Sequence, residues 1–184
     1  MGAYYFHQTP GCTDSTAINY NPEATSNDGS CYHDVLTDID GNEYQAVQIG
    51  EQLWMKQNLK VTHYNNGDEI PTGYSNSEWA DLDEMQTGAY AVYEDDPSNA
   101  ETYGNMYNWY AVDDDRGVCP VGWHLPTYNE WVLLTDYLGG YEIAGGKMKS
   151  TDTLENGDGL WYSPNEGATN ESSFVLSNSL FKEI

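Results

Sequence analysis

The chain has 184 residues, of which 30 are acidic and only 6 are basic, so its formal net charge at pH 7 is −24. A surface this acidic repels phosphate groups, which excludes nucleic-acid binding and disfavours anionic membrane surfaces. No stretch approaches the roughly 20 apolar residues that span a bilayer, so we expect no membrane insertion. The length predicts one domain of ordinary size with a small appendage.

Residues 1–34 form a small module rich in Asn, Asp and Gly, bracketed by Cys12 and Cys31. Its apolar residues are too few for a core, so we expect these two cysteines to form a disulfide. That bond would stabilise the module by roughly 3 kcal/mol on the chain-entropy model. It indicates an oxidising compartment, and hence a secreted or cell-surface protein. Two unpaired thiols in a disordered tail are the alternative.

Four oxygen-bearing side chains of this module are candidate calcium ligands: Asp14, Asn19, Asn21 and Asp28. Calcium binds carboxylate and amide oxygens, and it is the one cofactor that the sequence suggests. The same residue types also cap turns, so both interpretations stay open.

Residues 35–112 carry strand and turn signals. Short strands are predicted on either side of Gly41 and Gly50. The segment "DIDGN" begins like an EF-hand calcium loop, but its glycine comes fourth instead of sixth, which favours a tight turn. Asn66-Gly67 predicts a hairpin with a type I′ turn. Farther on, "TGAYAVYEDD" alternates as a strand does, and "YGNMYNWYAV" has the bulk of a buried strand or short helix.

Residues 113–184 open on an acidic run and contain the clearest helix, predicted over 127–138. Thr127 and Glu130 have the spacing of a capping box, in which each side chain bonds the other's backbone N–H. Trp131, Leu134 and Leu138 then share one face, which predicts an amphipathic helix.

No catalytic residue is expected in this chain. Cys119 has no Cys-x-x-Cys partner, and no base or helix start lies near it in sequence to activate a nucleophile. We found no serine nucleophile elbow, no Gly-rich phosphate loop and no carboxylate pair in a supporting context. The sequence therefore predicts a protein that is not an enzyme.

Four blocks in order resemble the Fibrobacter succinogenes major paralogous domain over about residues 36–174: "DIDGNEYQAVQIGEQLWMKQNLKVTHYNNGDEIP", "YGNMYNWYAV", "CPVGWHLPTYNEWVLLTDYLGG" and "GGKMKS…WYSPNEGATNESSF". This resemblance implies a domain of secreted and surface proteins of Bacteroidetes-like bacteria, with no established activity. Residues 11–31 resemble a short Cys-bracketed module of exported proteins from the same bacteria. The expected division is therefore a module over 1–34 and a domain over 35–184.

The block "GWHLPTYNEW" is also similar to the helix entry of C-type-lectin-like folds and of the formylglycine-generating sulfatase-modifying family. The similarity implies an α+β, C-type-lectin-like domain, with one main helix against a twisted antiparallel sheet. The sulfatase-modifying enzymes use a pair of active-site cysteines that this chain lacks.

The resemblance implies that the cysteine at the position of Cys119 forms a disulfide with another cysteine near the C-terminal end of the domain. The chain has no later cysteine, so we expect Cys119 to be an unpaired thiol, partly buried beside Trp123 and the Trp131 face of the helix. The domain is then expected to lack its C-terminal half. A shorter natural variant with a buried free thiol is the alternative.

The expected function is non-enzymatic binding or adhesion outside the cell, with a surface glycan or a protein as ligand. The alternative is a structural subunit of a surface fibre or secreted assembly. In that case the apolar tail "SSFVLSNSLFKEI" would support self-association by adding a strand or helix to a neighbour.

Overall fold

The computed structural model describes residues 9–15, 17, 20–28, 31, 35–156 and 159–174. The chain divides into two compact units, Met1–Leu36 and Thr37–Ile184. Among the described residues, no helix combines the length and the apolar character needed to cross a membrane. The tail residues 175–184 of the self-association hypothesis lie outside the described part.

The described residues of the first unit are held together by a disulfide and two short strands. Strands β1 (Pro10–Gly11) and β2 (Ser26–Asn27) pair in parallel, with Pro10 opposite Ser26. The Cys12–Cys31 disulfide is present, with 4.7 Å between the two Cα atoms. Cys12 is 1 % exposed, so the bond replaces the apolar core that this composition cannot build.

A three-stranded sheet in the order β3-β4-β5 lies mainly in the second unit, and only the first two residues of β3 belong to the first unit. Its strands are β3 (Val35–Thr37), β4 (Glu43–Ile49) and β5 (Gln52–Met55). β4 and β5 are antiparallel, with Ile49 opposite Gln52 across the Gly50-Glu51 turn. Tyr44 and Ala46 are buried on one face of β4 while Glu43 and Gln45 face solvent on the other, because side chains of a strand alternate between its two faces. Ile49, at the end of the strand, lies on the same face as Glu43 and Gln45 and is buried in an apolar core.

The "DIDGN" segment forms the predicted tight turn before β4. The buried Asp38 carboxylate accepts hydrogen bonds from the backbone N–H of Asp40 at 3.0 Å and of Asn42 at 2.9 Å. It also accepts the hydroxyl of Tyr44 at 2.6 Å. Asp38 therefore uses its oxygens to hold the turn, as an aspartate commonly does there.

Helix α4 (Tyr128–Tyr137) confirms the helix predicted over 127–138. Thr127 is its N-cap and forms the capping box with Glu130, whose carboxylate accepts the Thr127 N–H at 2.7 Å. Leu134 and Leu138 are buried against Ile49 in one apolar core. The core also contains aromatic contacts of Trp54 with Trp131 (ring centroids 5.0 Å apart) and with Phe174 (5.5 Å).

Helix α5 (Tyr141–Met148) follows α4, and the segment 165–174 packs against its last turn. The Gly146 carbonyl accepts the N–H of Thr169 at 2.9 Å, and the Lys147 carbonyl accepts the N–H of Ser172 at 3.1 Å. Lys147 also pairs with Glu171 at 3.2 Å. A Cβ atom on Gly146 would collide with the Gly167 carbonyl oxygen, so only glycine permits this approach.

The part of the chain that follows β5 and precedes α4 forms a second core beneath short elements and long loops. These elements are α1 (Asn76–Met85), β6 (Tyr90–Ala91), α2 (Ala100–Tyr103), β7 (Met106–Tyr107) and α3 (Trp109–Val112). Short 3-10 turns cover Tyr93–Asp95, Pro97–Asn99 and Leu154–Asn156. β6 and β7 are antiparallel. The buried residues of this core are Val61, Tyr64, Ile70, Ala111 and Val118.

The hairpin at Asn66-Gly67 is present, but the predicted type I′ turn is wrong. That turn needs positive φ at both central residues, whereas here Gly67 has φ +89° and Asn66 is not in the left-handed region. The Gly67 N–H donates to the Tyr64 carbonyl at 2.8 Å, and the Tyr64 N–H donates to the Asp68 carbonyl at 2.9 Å. This is a three-residue loop that closes on a left-handed glycine.

The architecture is mixed α and β, but it differs from one helix against one sheet. The described residues hold small separate sheets, and α1 is as long as α4. The segment "TGAYAVYEDD" contains only the two strand residues of β6, because Glu94 (φ +56°) and Asp95 (φ +55°) take left-handed backbone that ends a strand. "YGNMYNWYAV" contains both β7 and α3, since Asn108 caps the helix.

We predict opposite effects of alanine at two adjacent glycines of α5. Gly146→Ala should lower the free energy of unfolding by about 1–3 kcal/mol, because the new methyl group overlaps backbone of the 165–174 segment. Gly145→Ala, with nothing within 4 Å of the new Cβ, should raise it by about 0.5–1 kcal/mol through helix propensity. Urea unfolding of both variants checks this. Equal effects would contradict the packing of that segment on α5.

Candidate functional site

A cleft of about 340 Å³ lies in the second unit between α1, α3 and the loop after α3. Its lining is mostly polar, with three carboxylates, one guanidinium and one phenol: Glu69, Pro71, Gln86, Thr87, Gly88, Tyr110, Asp113, Asp114 and Arg116. Small-ligand sites are concave and use a few converging polar groups to orient the ligand, although most of them are lined mainly by apolar side chains. This cleft is therefore the candidate functional site.

One wall of the cleft is held by the side chain of Asn108. Its Oδ1 atom accepts the N–H groups of Ala89 and Ala111, each at 3.0 Å, and its Nδ2 atom donates to the Thr87 carbonyl at 2.8 Å. The segment Thr87–Ala89 is thereby fixed against α3. Gly88 has no space for a side chain, because a Cβ atom would collide with the Tyr64 hydroxyl and the Ala111 backbone.

The opposite side of the cleft is formed by Arg116, which is held by two carboxylates and a ring. Its Nε and Nη2 atoms donate to the two oxygens of Asp114, each at 2.8 Å. Nη1 donates to Asp68 at 3.0 Å, and the guanidinium carbon lies 3.9 Å from the centre of the Tyr64 ring. A lysine side chain cannot form this planar pair of hydrogen bonds with a carboxylate. The contact between the guanidinium and the Tyr64 ring stabilises the fold by about a further 0.5–1 kcal/mol.

These contacts shift the pKa values of the groups involved. The hydrogen bonds from the Arg116 side chain and backbone lower the pKa of Asp114 to about 2. The same carboxylate and Asp68 raise the pKa of Arg116. Burial raises the pKa of Tyr64, whose hydroxyl has no hydrogen-bond partner. At neutral pH the cleft therefore keeps a charged Asp114–Arg116 pair and a neutral tyrosine beneath it.

The remaining carboxylates give the cleft its chemical character. Glu69 and Asp113 are exposed, and the charge of Arg116 is already matched by its own pair of aspartates. The Tyr110 hydroxyl donates to Asp83 at 3.1 Å, which orients its ring at the rim. The cleft thus offers acceptors to a ligand that donates hydrogen bonds, such as a sugar hydroxyl or an ammonium group.

The family model described as the Fibrobacter succinogenes major domain matches residues 47–181. The chain belongs to this family. No curated protein and no solved structure matches the chain. Every residue that lines the cleft lies inside the matched range. The Fibrobacter succinogenes major domain of this chain therefore contains the candidate site.

The calcium hypothesis concerns the first unit, outside the matched range, and stays a prediction. Asn21 uses its Oδ1 atom to accept the Glu23 N–H at 3.0 Å, in a turn. Asp14 and Asp28 lie among the described residues, whereas Asn19 lies outside them. Within the described residues, no three His, Cys, Asp or Glu side chains are grouped so as to hold a metal ion.

Cys119 is a free thiol in the Fibrobacter succinogenes major domain, and it is partly buried. It packs against the second core, which contains Val61 and Val118, whereas Trp131 belongs to the first core. Cys119 therefore lies in the loop after α3 and packs against the second core, not against the core that contains Trp131. Its carbonyl accepts the Asn65 side chain at 2.8 Å, which ties that loop to the hairpin at residues 64–68.

Arg116 and the cleft around it are functional features that the sequence does not predict. Arg116 is the only arginine of the chain, and it follows three consecutive aspartates. A single arginine directly after three aspartates is a pattern that indicates an ion pair. The partners Asp68 and Tyr64 lie about fifty residues earlier, so the sequence alone could not place them.

We predict that the Asp114–Arg116 pair stabilises the domain at neutral pH and loses this effect in acid. The pKa of Asp114 falls from its ordinary 3.8 to about 2, so the contribution is complete above about pH 4 and disappears as the pH falls towards 2. The loss of unfolding free energy in Asp114→Asn, relative to wild type, should therefore be largest near pH 6 and shrink towards pH 2.

Urea unfolding across this pH range gives the measurement. Asp115→Asn makes the same change of net charge one residue away and serves as the control. The same pH dependence in both variants would mean that overall charge, and not the Arg116 pair, is responsible.

Proposed function

We propose that this chain is a non-enzymatic binding or adhesion module that works outside the cell or on its surface, and that the cleft beside Arg116 is its ligand site. The cleft is the observation on which the proposal rests. Its walls are fixed by Asn108 on one side and by the Arg116 pairs on the other, so little order must be gained on binding.

The extracellular setting is supported by the Cys12–Cys31 disulfide and by the acidic composition. The non-enzymatic character is supported by Cys119, because burial raises the pKa of its thiol and so disfavours the thiolate that a nucleophile needs. A C-type-lectin-like scaffold, with a glycan or protein as ligand, is part of the same proposal. It is supported by the block "GWHLPTYNEW", which enters α4 through a capping box.

We predict that a ligand in the cleft depends on Asp113 and not on its neighbour Asp115. Asp113 lines the cleft, whereas Asp115 is exposed outside it. Losing a charged hydrogen-bond acceptor costs about 1.5–3 kcal/mol, so Asp113→Asn should weaken binding at least about tenfold. Asp115→Asn makes the same charge change and should bind as the wild type does.

A glycan array followed by titration of the bound glycans gives the measurement, with a screen for binding to bacterial cell surfaces beside it. If the wild-type chain bound no glycan and no cell surface in these assays, the binding proposal would be contradicted. Equal losses in the two variants would show that binding occurs away from the cleft.

A structural subunit of a surface fibre or secreted assembly is the second candidate. The observation that favours it is β5, which is an edge strand of the described sheet and has a free side for pairing with another chain. Assembly through this edge would give larger species as concentration rises. A single monomer peak in size-exclusion chromatography at high concentration would argue against it.

A further inference from the structure

Helix α4 is apolar on two sides, and only one of them is covered. Leu134 and Leu138 point into the first core and are at most 6 % exposed. On the outer side, Leu133 is 60 % exposed and Tyr137 is 67 % exposed, one helical turn apart. A helix of a single-domain protein normally faces solvent with polar residues, so an outer apolar side marks a contact surface.

The start of α5 extends this surface. Tyr141 is 88 % exposed and Ile143 is 53 % exposed, and the Ile143 side chain lies 3.8 Å from the Cβ position of Gly139, which joins the two helices. We refer to Leu133, Tyr137, Tyr141 and Ile143 as the α4–α5 face. These four large exposed side chains lie on two consecutive helices that contact each other.

Tyr137 is held in place although it is exposed. Three of its ring atoms lie 2.9–3.2 Å from the position that a Cβ atom would take on Gly50. The ring therefore rests on the backbone of the β4–β5 turn, and its other side is free. A fixed aromatic side chain loses little conformational entropy when a partner covers it, which is typical of residues that anchor an interface.

The charges around the α4–α5 face select the partner. Asp136 and Glu142 are exposed next to it in sequence, Glu51 is exposed beside the Gly50 that Tyr137 contacts, and no lysine or arginine occurs between residues 117 and 146. A second copy that docked on this face would bring the same acidic side chains to it, so like charges would oppose each other there. The complementary surface is apolar and positively charged.

We infer that the α4–α5 face binds a protein segment that carries apolar side chains together with lysine or arginine. This docking surface goes beyond the proposed function, because it uses none of the residues that line the cleft. The apolar side chains would cover Leu133, Tyr137 and Tyr141, and the basic groups would pair with Asp136 and Glu142 at the rim. Such rim charges mainly raise the association rate and are weakened by salt.

The test uses a fluorescent amphipathic peptide made of leucine and lysine, with a leucine–glutamate peptide as its counterpart. Fluorescence anisotropy should give binding of the lysine peptide alone, weaker at high salt. The double variant Leu133→Ser/Tyr141→Ser should bind at least about tenfold more weakly. Val121→Ser/Met85→Ser, which removes two exposed apolar side chains from other parts of the surface, should bind as wild type does.

A second pair of variants separates the α4–α5 face from general acidity. Asp136→Asn/Glu142→Gln should slow association, whereas Asp81→Asn/Glu84→Gln on α1, with the same change of net charge, should leave it unchanged. Equal effects of the two pairs, or binding of the glutamate peptide, would overturn the inference. Dimerisation of the chain through this face, with an affinity that rises with salt concentration, would overturn it as well. Asp113→Asn should bind the peptide normally, so a failure of this inference is distinguishable from a failure of the cleft.

Discussion

The side-chain amide of Asn108 supplies the hydrogen bonds that the short strands of the second unit cannot. β6 and β7 have two residues each, so most backbone groups around them need other partners once they are buried. Asn108 accepts from two backbone N–H groups and donates to a carbonyl. Other asparagine side chains also donate to backbone carbonyls far away in the sequence. The pairs are Asn58 with Tyr103, Asn105 with Lys60, Asn65 with Cys119, and Asn165 with Ser150.

The candidate site follows from this way of holding loops. Regular strands would fix the shape of this wall through their backbone pairing. Here the Asn108 side-chain amide holds the wall instead, so that Gly88 lies against the Tyr64 hydroxyl and the cleft stays open beside it. The Arg116 guanidinium contacts the ring of the same Tyr64. The structural asparagine and the charged lining therefore act together, and the proposed ligand site depends on the packing of Tyr64.

The sequence predicts local elements well and distant partners poorly. α4 was found because the Thr127–Glu130 capping box comes directly before a regular apolar face. α1 has an equivalent box at Ser75 and Glu78, yet it was missed, because Leu82 is its only buried residue and no apolar face is visible. The segment "TGAYAVYEDD" is predicted as a longer strand than it forms, because left-handed backbone at Glu94 and Asp95 leaves no pattern in composition. The cleft joins residues far apart in the chain, so no local rule could assemble it.

Native-state hydrogen exchange of the Ala89 and Ala111 amides tests most directly whether Asn108 holds the cleft wall before any ligand binds. Both N–H groups donate to the same side-chain oxygen at 3.0 Å. They should exchange among the slowest amides of the chain, with an opening free energy close to that of global unfolding. Exchange as fast as that of exposed loop amides would contradict a preformed wall, and with it the account of the cleft as a rigid binding site.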